Sequence, residues 1–351
     1  MGIKTSYFAG GNTAYGFCSY FPYILPEAEQ KRVYYIKGGP GVGKSTLMKQ
    51  IGKRMEEAGY RVEYFFCSGD PASLDAVAVP ALGAALMDGT APHIYDPAIP
   101  GARDTLVSLG DYLREEQLRT NQDKIIRISR EISEYYQQCY AYLGGAGKLM
   151  EDSKTCQASP KSIYACAQSL KEKLKDTNPP DDVVRHLFGD AYTFKGLVSF
   201  VKEIPAKYKY ALANTERGLC HAILKELYQM GRKERRTMVV LHDPLYPSLI
   251  AHLYFPLESV LYTSDDSCGE AFPLEPVMCD FKKTKTLDVF SENMSQQLIG
   301  EAVKQLKLAK TAHDKLEAYY VESMDFESLN ERREEIIDDL LGAKESHFIL
   351  K

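Results

Sequence analysis

Nine residues constrain the fold of this chain more than any others. GGPGVGKST, residues 38–46, stands between the apolar run RVYYI and a stretch reaching Gly59 in which Leu47, Met48, Ile51 and Met55 recur at helical spacing. Gly38, Gly43, Lys44 and Ser45 satisfy G-x-x-x-x-G-K-[ST], and the strand–loop–helix setting turns a string match into a physical site. Glycines are needed because such a loop bends around phosphates with its N–H groups pointing inward, in conformations where a side chain would clash. The following helix adds the partial positive charge of its N-terminus. The pattern predicts Mg²⁺-ATP held by Gly38, Gly39, Pro40, Gly41, Val42, Gly43, Lys44, Ser45 and Thr46. Lys44 would reach the β and γ phosphates, Ser45 the metal, and Thr46 the α and β phosphates. No N-K-x-D motif argues for guanine.

Carboxylates come next. Asp88 ends the apolar run AALM, where the tip of a buried strand could hold Mg²⁺ through water. Asp70 and Asp75, in CSGDPASLD, follow the preceding strand on the same sheet edge, and either could orient a water or a substrate hydroxyl. Lys37, the Asn12–Thr13 pair in AGGNTAYG, and His93 are weaker candidates, Lys37 readable as a solvated lysine, the pair as part of a glycine turn, and His93 better explained as a turn cap. GGAGKL at 144–149 is not a second phosphate loop: it lacks the upstream glycine, has Leu149 where a hydroxyl is required, and follows a helix.

Around these motifs the chain has the outline of a three-layer α/β fold written twice. VEYFFC and GAALMD suit strands buried on both faces, 103–150 reads as helix, and 151–184 as a linker with one short helix. Then the pattern restarts. At an offset of 180, Phe8 meets Phe188, Thr13 meets Thr193, Gly16 meets Gly196, Ser19 meets Ser199 and Ile24 meets Ile204; at 176, VEYFFC meets MVVLHD. A second helical region, 293–342, closes the second half. The expected organisation is a tandem duplication: a P-loop domain at 1–150, a linker at 151–184, and a degenerate repeat at 185–351, each half ending in long hairpin-like helices. In such a repeat 208–213 and 237–242 should be adjacent core strands, and their separation would end the tandem reading.

The second loop, NTERGLCH, keeps only Gly218. Lys44 meets Cys220, Ser45 meets His221 and Asp88 meets Ser264, with Asp265 and Asp266 next to it. Losing lysine, hydroxyl and carboxylate together predicts a half that cannot run phosphate chemistry alone. It serves as structural support or supplies one group in trans, Arg217 or Arg185.

FAGGNTAYGF, IKGGPGVGKSTLMK, CSGDPASLDAV, MDGTAPH, LHDPLYPSL and HDKLEAYYVESMDF together resemble an uncharacterised bacterial family of tandem P-loop ATP-binding proteins, met mainly in spore-forming Firmicutes. The resemblance spans nearly the whole chain and implies ATP binding at Gly38–Thr46, without supplying a reaction. A family member's second half can carry a phosphate loop of its own, and this chain departs from that.

Composition excludes several other classes. A net charge of -5 with no dense basic cluster argues against nucleic acid. Eight scattered cysteines without a C-x-x-C pair suggest reduced thiols in a cytosolic protein. AVAVPALGAALM is too short to span a bilayer and is broken by Pro80 and Gly83. MGIKTS fits a myristoylation pattern, but no polybasic patch accompanies it. The leading expectation is a slow cytoplasmic ATPase, a hydrolase whose helices at 103–150 and 293–342 move or bind a protein partner. A small-molecule or nucleotide kinase and an ATP-sensing scaffold without turnover are the alternatives. An ABC-type signature is absent.

Overall fold

Apolar runs alternating with leucine-spaced stretches set the order of elements in the computed structural model, which describes residues 3–90, 94–151, 158–175, 182–212, 217–272 and 289–348. In chain order these are β1 Lys4–Phe8, β2 Gly10–Thr13, β3 Gly16–Ser19, β4 Arg32–Lys37, α1 Lys44–Glu57, β5 Val62–Phe66, β6 Leu74–Val79, β7 Ala84–Asp88, β8 Asp104–Ser108, α2 Glu115–Thr120, α3 Gln122–Leu149 and α4 Pro160–Lys171. There follow β9 Val184–Phe188, β10 Asp190–Thr193, β11 Gly196–Ser199, β12 Tyr208–Ala211, α5 Arg217–Lys233, β13 Met238–His242, β14 Ile250–Phe255, β15 Val260–Thr263, β16 Glu270–Ala271, α6 Val289–Ser323 and α7 Phe326–Phe348. The chain is a mixed α/β protein. Among the described residues no helix is long and apolar enough to cross a membrane.

Two compact units divide it, each assembled from separate stretches of chain. The first comprises Met1–Ala9, Phe21–Gln138 and Lys304–Lys351; the second, Gly10–Tyr20 and Cys139–Val303. Compactness follows packing rather than chain order. Asn12 of β2 donates to the Tyr192 carbonyl in β10 at 2.9 Å, which places the early hairpin in the second unit. Ile336, Ile337 and Leu340 of α7 join the core built on α1, which brings the C-terminal helix into the first.

In the first unit the strand order is β1-β5-β6-β7-β4-β8. Only β6 runs against its neighbours; β1–β5, β7–β4 and β4–β8 are parallel. The short β5–β6 and β6–β7 connections leave antiparallel pairing as the reachable option, since a parallel return needs a crossover of a dozen or more residues. Gly83 makes the second of these turns at φ +62, where a Cβ would lie 2.5 Å from the Glu29 carbonyl oxygen. Residues 103–150 are not helical throughout: β8 is an edge strand with Leu106 about half exposed, and the long helix starts at Gln122.

In the second unit the order is β9-β13-β14-β15-β12-β16, with β14 reversed and the other pairs parallel. Strand for strand this repeats the first unit's order and directions. The irregularity between Phe65 and Phe66 has its match between Leu241 and His242. The Cys67 amide donates to the Ser73 carbonyl at 3.0 Å, and the Asp243 amide to the Leu249 carbonyl at 3.0 Å. Hairpin β2–β3 turns on Thr13, whose hydroxyl donates to the Gly16 carbonyl at 2.7 Å; Thr193 does the same to Gly196 at 3.0 Å. The two offsets, 180 and 176, reflect a connection into β12 that is four residues shorter than the one into β4.

The expected adjacency of 208–213 and 237–242 is overturned: β12 and β13 share the sheet, but β15 and β14 lie between them. In the first unit β4 and β5 are likewise separated, by β7 and β6. Consecutive strands joined by a helix need not pair, and in each unit two strands of an antiparallel hairpin fill the gap, so the separation does not by itself tell against a repeat.

Candidate functional site

β4 ends at Lys37 and α1 begins at Lys44, so the intervening glycine loop must reverse within six residues. It does so through positive φ at Gly41 (+72) and Gly43 (+92). Gly43 is the N-cap of α1 and brings no side chain to the first-turn amides, which remain available to an anion. The Lys44 ammonium donates to the carbonyls of Gly38 and Gly39 at 2.7 and 2.8 Å and stands 3.7 Å from Asp88. The Ser45 hydroxyl accepts from the Leu74 amide at 2.9 Å, tying α1 to the start of β6.

Parallel pairing of β4 and β7 sets Ile36 opposite Asp88 and so brings the carboxylate to the mouth of the loop. Burial raises the Asp88 pKa, and Lys44 together with the Thr90 hydroxyl and amide only partly offsets this. Asp70 behaves oppositely. Partial burial works against its charge, but the Ala72 amide, Lys310 and the Ser73 hydroxyl outweigh burial and hold its carboxyl below the usual range. Asp75 is buried. The neighbouring Cys67 thiol is pushed well up, first by burial and then by the Asp75 charge.

These groups surround one cavity of about 380 Å³, within the range of small-ligand sites. Gly39, Pro40, Gly41, Val42, Gly43, Lys44, Ser45 and Thr46 line it, with Asp70, Asp75 and Asp88. Gly38 contributes its carbonyl to Lys44. The remaining wall comes from Ile132 and Tyr136 of α3 and from Lys310, His313 and Glu317 of α6. α6 also lies against the loop itself. A Cβ on Gly41 would come within 2.9 Å of the Glu317 carbonyl oxygen, and one on Gly39 within 2.6 Å of the Tyr320 ring. Nothing in local sequence announces this wall; its only trace is the i, i+3, i+7 spacing of Lys310, His313 and Glu317 on one helical face.

Other expected residues are elsewhere. Asn12 and Thr13 are buried in β2, where Tyr192, Tyr140 and the hairpin turn engage them, and neither lines the cavity. Lys37 donates to the Gly89 carbonyl and pairs with Asp96 at 2.9 Å. His93 lies outside the described residues. Arg185 is buried in β9, and Arg217 pairs with Asp243 at 3.2 Å over the Tyr246 ring; both belong to the second unit.

The second unit starts its helix differently. Arg217, Gly218 and Leu219, which an offset of 176 sets against Gly41, Val42 and Gly43, form the first turn of α5. Cys220 is buried, which pushes its thiol up to about 12. His221 accepts from the Ile250 amide at 2.8 Å, the bond that Ser45 makes to Leu74 in the first unit. Burial and then Lys225 push its imidazole down to about 4, so it is neutral at pH 7 and able to accept.

A family model described as Nephrocystin 3, N-terminal matches residues 21–143, from ahead of the glycine loop into α3. No curated protein and no solved structure matches the chain.

Proposed function

We propose that this chain is a tandem P-loop protein that binds Mg²⁺-ATP in its first unit and hydrolyses it slowly, the second unit being a degenerate repeat kept for its packing. The observation that carries the reading is Lys44: an ammonium drawn onto the loop's own carbonyls and facing Asp88, in a cavity that also holds Ser45. Such a lysine is poised to exchange carbonyl partners for phosphate oxygens. The repeat is supported by the matching strand order and by the equivalent Ser45–Leu74 and His221–Ile250 bonds.

Ser45 and Asp88 are the groups that would hold Mg²⁺, which supplies neutralisation of phosphate charge. The first-turn amides of α1 bind the phosphates, and α6 with Tyr136 limits entry of water. Asp70 is already ionised and saturated with donors, which suits an orienting acceptor better than a proton acceptor.

Mg²⁺-ATP at 100 times its Kd should stabilise the wild type by about 2.7 kcal/mol, read as a rise in Tm, and should leave Lys44→Ala unmoved. An equal rise in both proteins would sink the reading. Phosphate release without an added acceptor supports the ATPase, acceptor-dependent ADP formation a kinase, and binding with neither a sensor.

A further inference from the structure

The cavity wall supplied by α6 carries charge that the phosphate loop does not account for. Lys310, His313 and Glu317, from a helix far along the chain, line the same cavity as Lys44 and Asp88. His313 and Glu317 pair with each other at 3.3 Å. Lys310 differs from the other lysines of the site. Lys44 is anchored on loop carbonyls, and Lys49 is exposed and donates to the Ala72 carbonyl. The Lys310 ammonium instead rests between two carboxylates, hydrogen-bonded to the largely exposed Asp314 and 3.4 Å from Asp70 inside the cavity.

Both partners are weak holds. Asp314 is one turn along the same helix and largely exposed, so solvent screens that i,i+4 pair. At 3.4 Å the Asp70 contact is an ion pair with long geometry. A phosphate oxygen offers charge-assisted bonds of better geometry to the same ammonium. The side chain also has reach, since a lysine stem rotates its three donors freely.

On the reading that this cavity takes a nucleoside triphosphate, we propose that Lys310 recognises the terminal phosphate, leaving Asp70 for the γ-phosphoryl group when a triphosphate arrives. A diphosphate does not extend far enough to draw it away. Lys310 is then what separates ATP from ADP, and the exchange breaks the α6-to-Asp70 tie. The loop lies directly against α6 at Glu317 and Tyr320, so the helix is placed to register which nucleotide is bound. No bond is made or broken covalently in this step.

The test is calorimetric titration of the full chain, in Mg²⁺ buffer, with ADP and with the β,γ-imido analogue of ATP. Lys310→Met should weaken the triphosphate analogue about tenfold and leave ADP within twofold of wild type. The retained ADP affinity shows that Lys310→Met is folded, and Lys310→Arg, which keeps the charge, should restore most of the triphosphate affinity. If Lys310→Met weakens both ligands equally, or neither, Lys310 does not read the terminal phosphate and the proposal is overturned while nucleotide binding stands. If the wild type binds neither ligand, both this proposal and the nucleotide-site reading fall together.

Discussion

Lys44 and Asp88 offer a quantitative test of the site before any nucleotide is added. Their charges are 3.7 Å apart, with side chains 13% and 15% exposed. Coulomb's law gives about 4.5 kcal/mol for that separation at an effective dielectric of 20, and about 1 kcal/mol at the value of bulk water. The pair sits at the wall of a water-accessible cavity, so a coupling of about 1–4 kcal/mol is expected. A double-mutant cycle reads it directly: urea unfolding, followed by circular dichroism without nucleotide, of the wild type, Lys44→Met, Asp88→Asn and the double variant. Lys44→Met should cost more with Asp88 present than in the Asp88→Asn background, because it strands a buried carboxylate. Asp88→Asn alone should stabilise at pH 7. Its folded pKa is raised, so the contribution of the carboxyl to stability is present at low pH and is lost as the pH rises through that value. The gain from Asp88→Asn should therefore shrink towards pH 4, and the coupling with it. A coupling within about 0.5 kcal/mol of zero at pH 7 and low salt would refute the argument that Lys44 is held by this carboxylate.

Two further outcomes concern the second unit and the hairpins. His221 and His242 are pushed down to about 4 and about 3, mainly by burial. Their folded pKa values are depressed, so the stability they contribute is full above the ordinary histidine range and is lost as pH falls from about 6.5 towards 3. Urea midpoints should fall across that window, and less so in His221→Ser, where a hydroxyl still accepts from Ile250; an unchanged profile would count against neutral burial. Thr13→Val and Thr193→Val each remove a buried hydroxyl that also accepts from the amide two residues on. Each should cost about 1–3 kcal/mol, and a large cost at one with none at the other would break the equivalence of the two hairpins.

Much of this was readable from residues alone, for identifiable reasons. β4, β5 and β7 are short apolar runs bounded by turn residues, and α1 has a clean helical face, so each element announces itself locally. β6 was hidden because LDAVAV runs through Pro80 into the next strand as one apolar stretch. β8 was hidden because an edge strand with Leu106 facing solvent lacks the apolar density of a central one. Strand neighbours were misjudged because pairing depends on long-range contacts that periodicity does not encode. For the site, Gly39–Thr46, Asp70 and Asp88 could be named from spacing, since the loop and the strand tips follow chain order. Lys310, His313 and Glu317 could not, because only tertiary packing brings them there.

That placement has a consequence for how the protein is made. Glu317, which lies against Gly41, is added about 270 residues after the glycine loop. At synthesis rates of roughly 5–20 residues per second the loop waits between about a quarter of a minute and a minute for its wall. During that interval the cavity lacks the side that Lys310, His313 and Glu317 supply. The complete cavity therefore exists only once synthesis has passed α6.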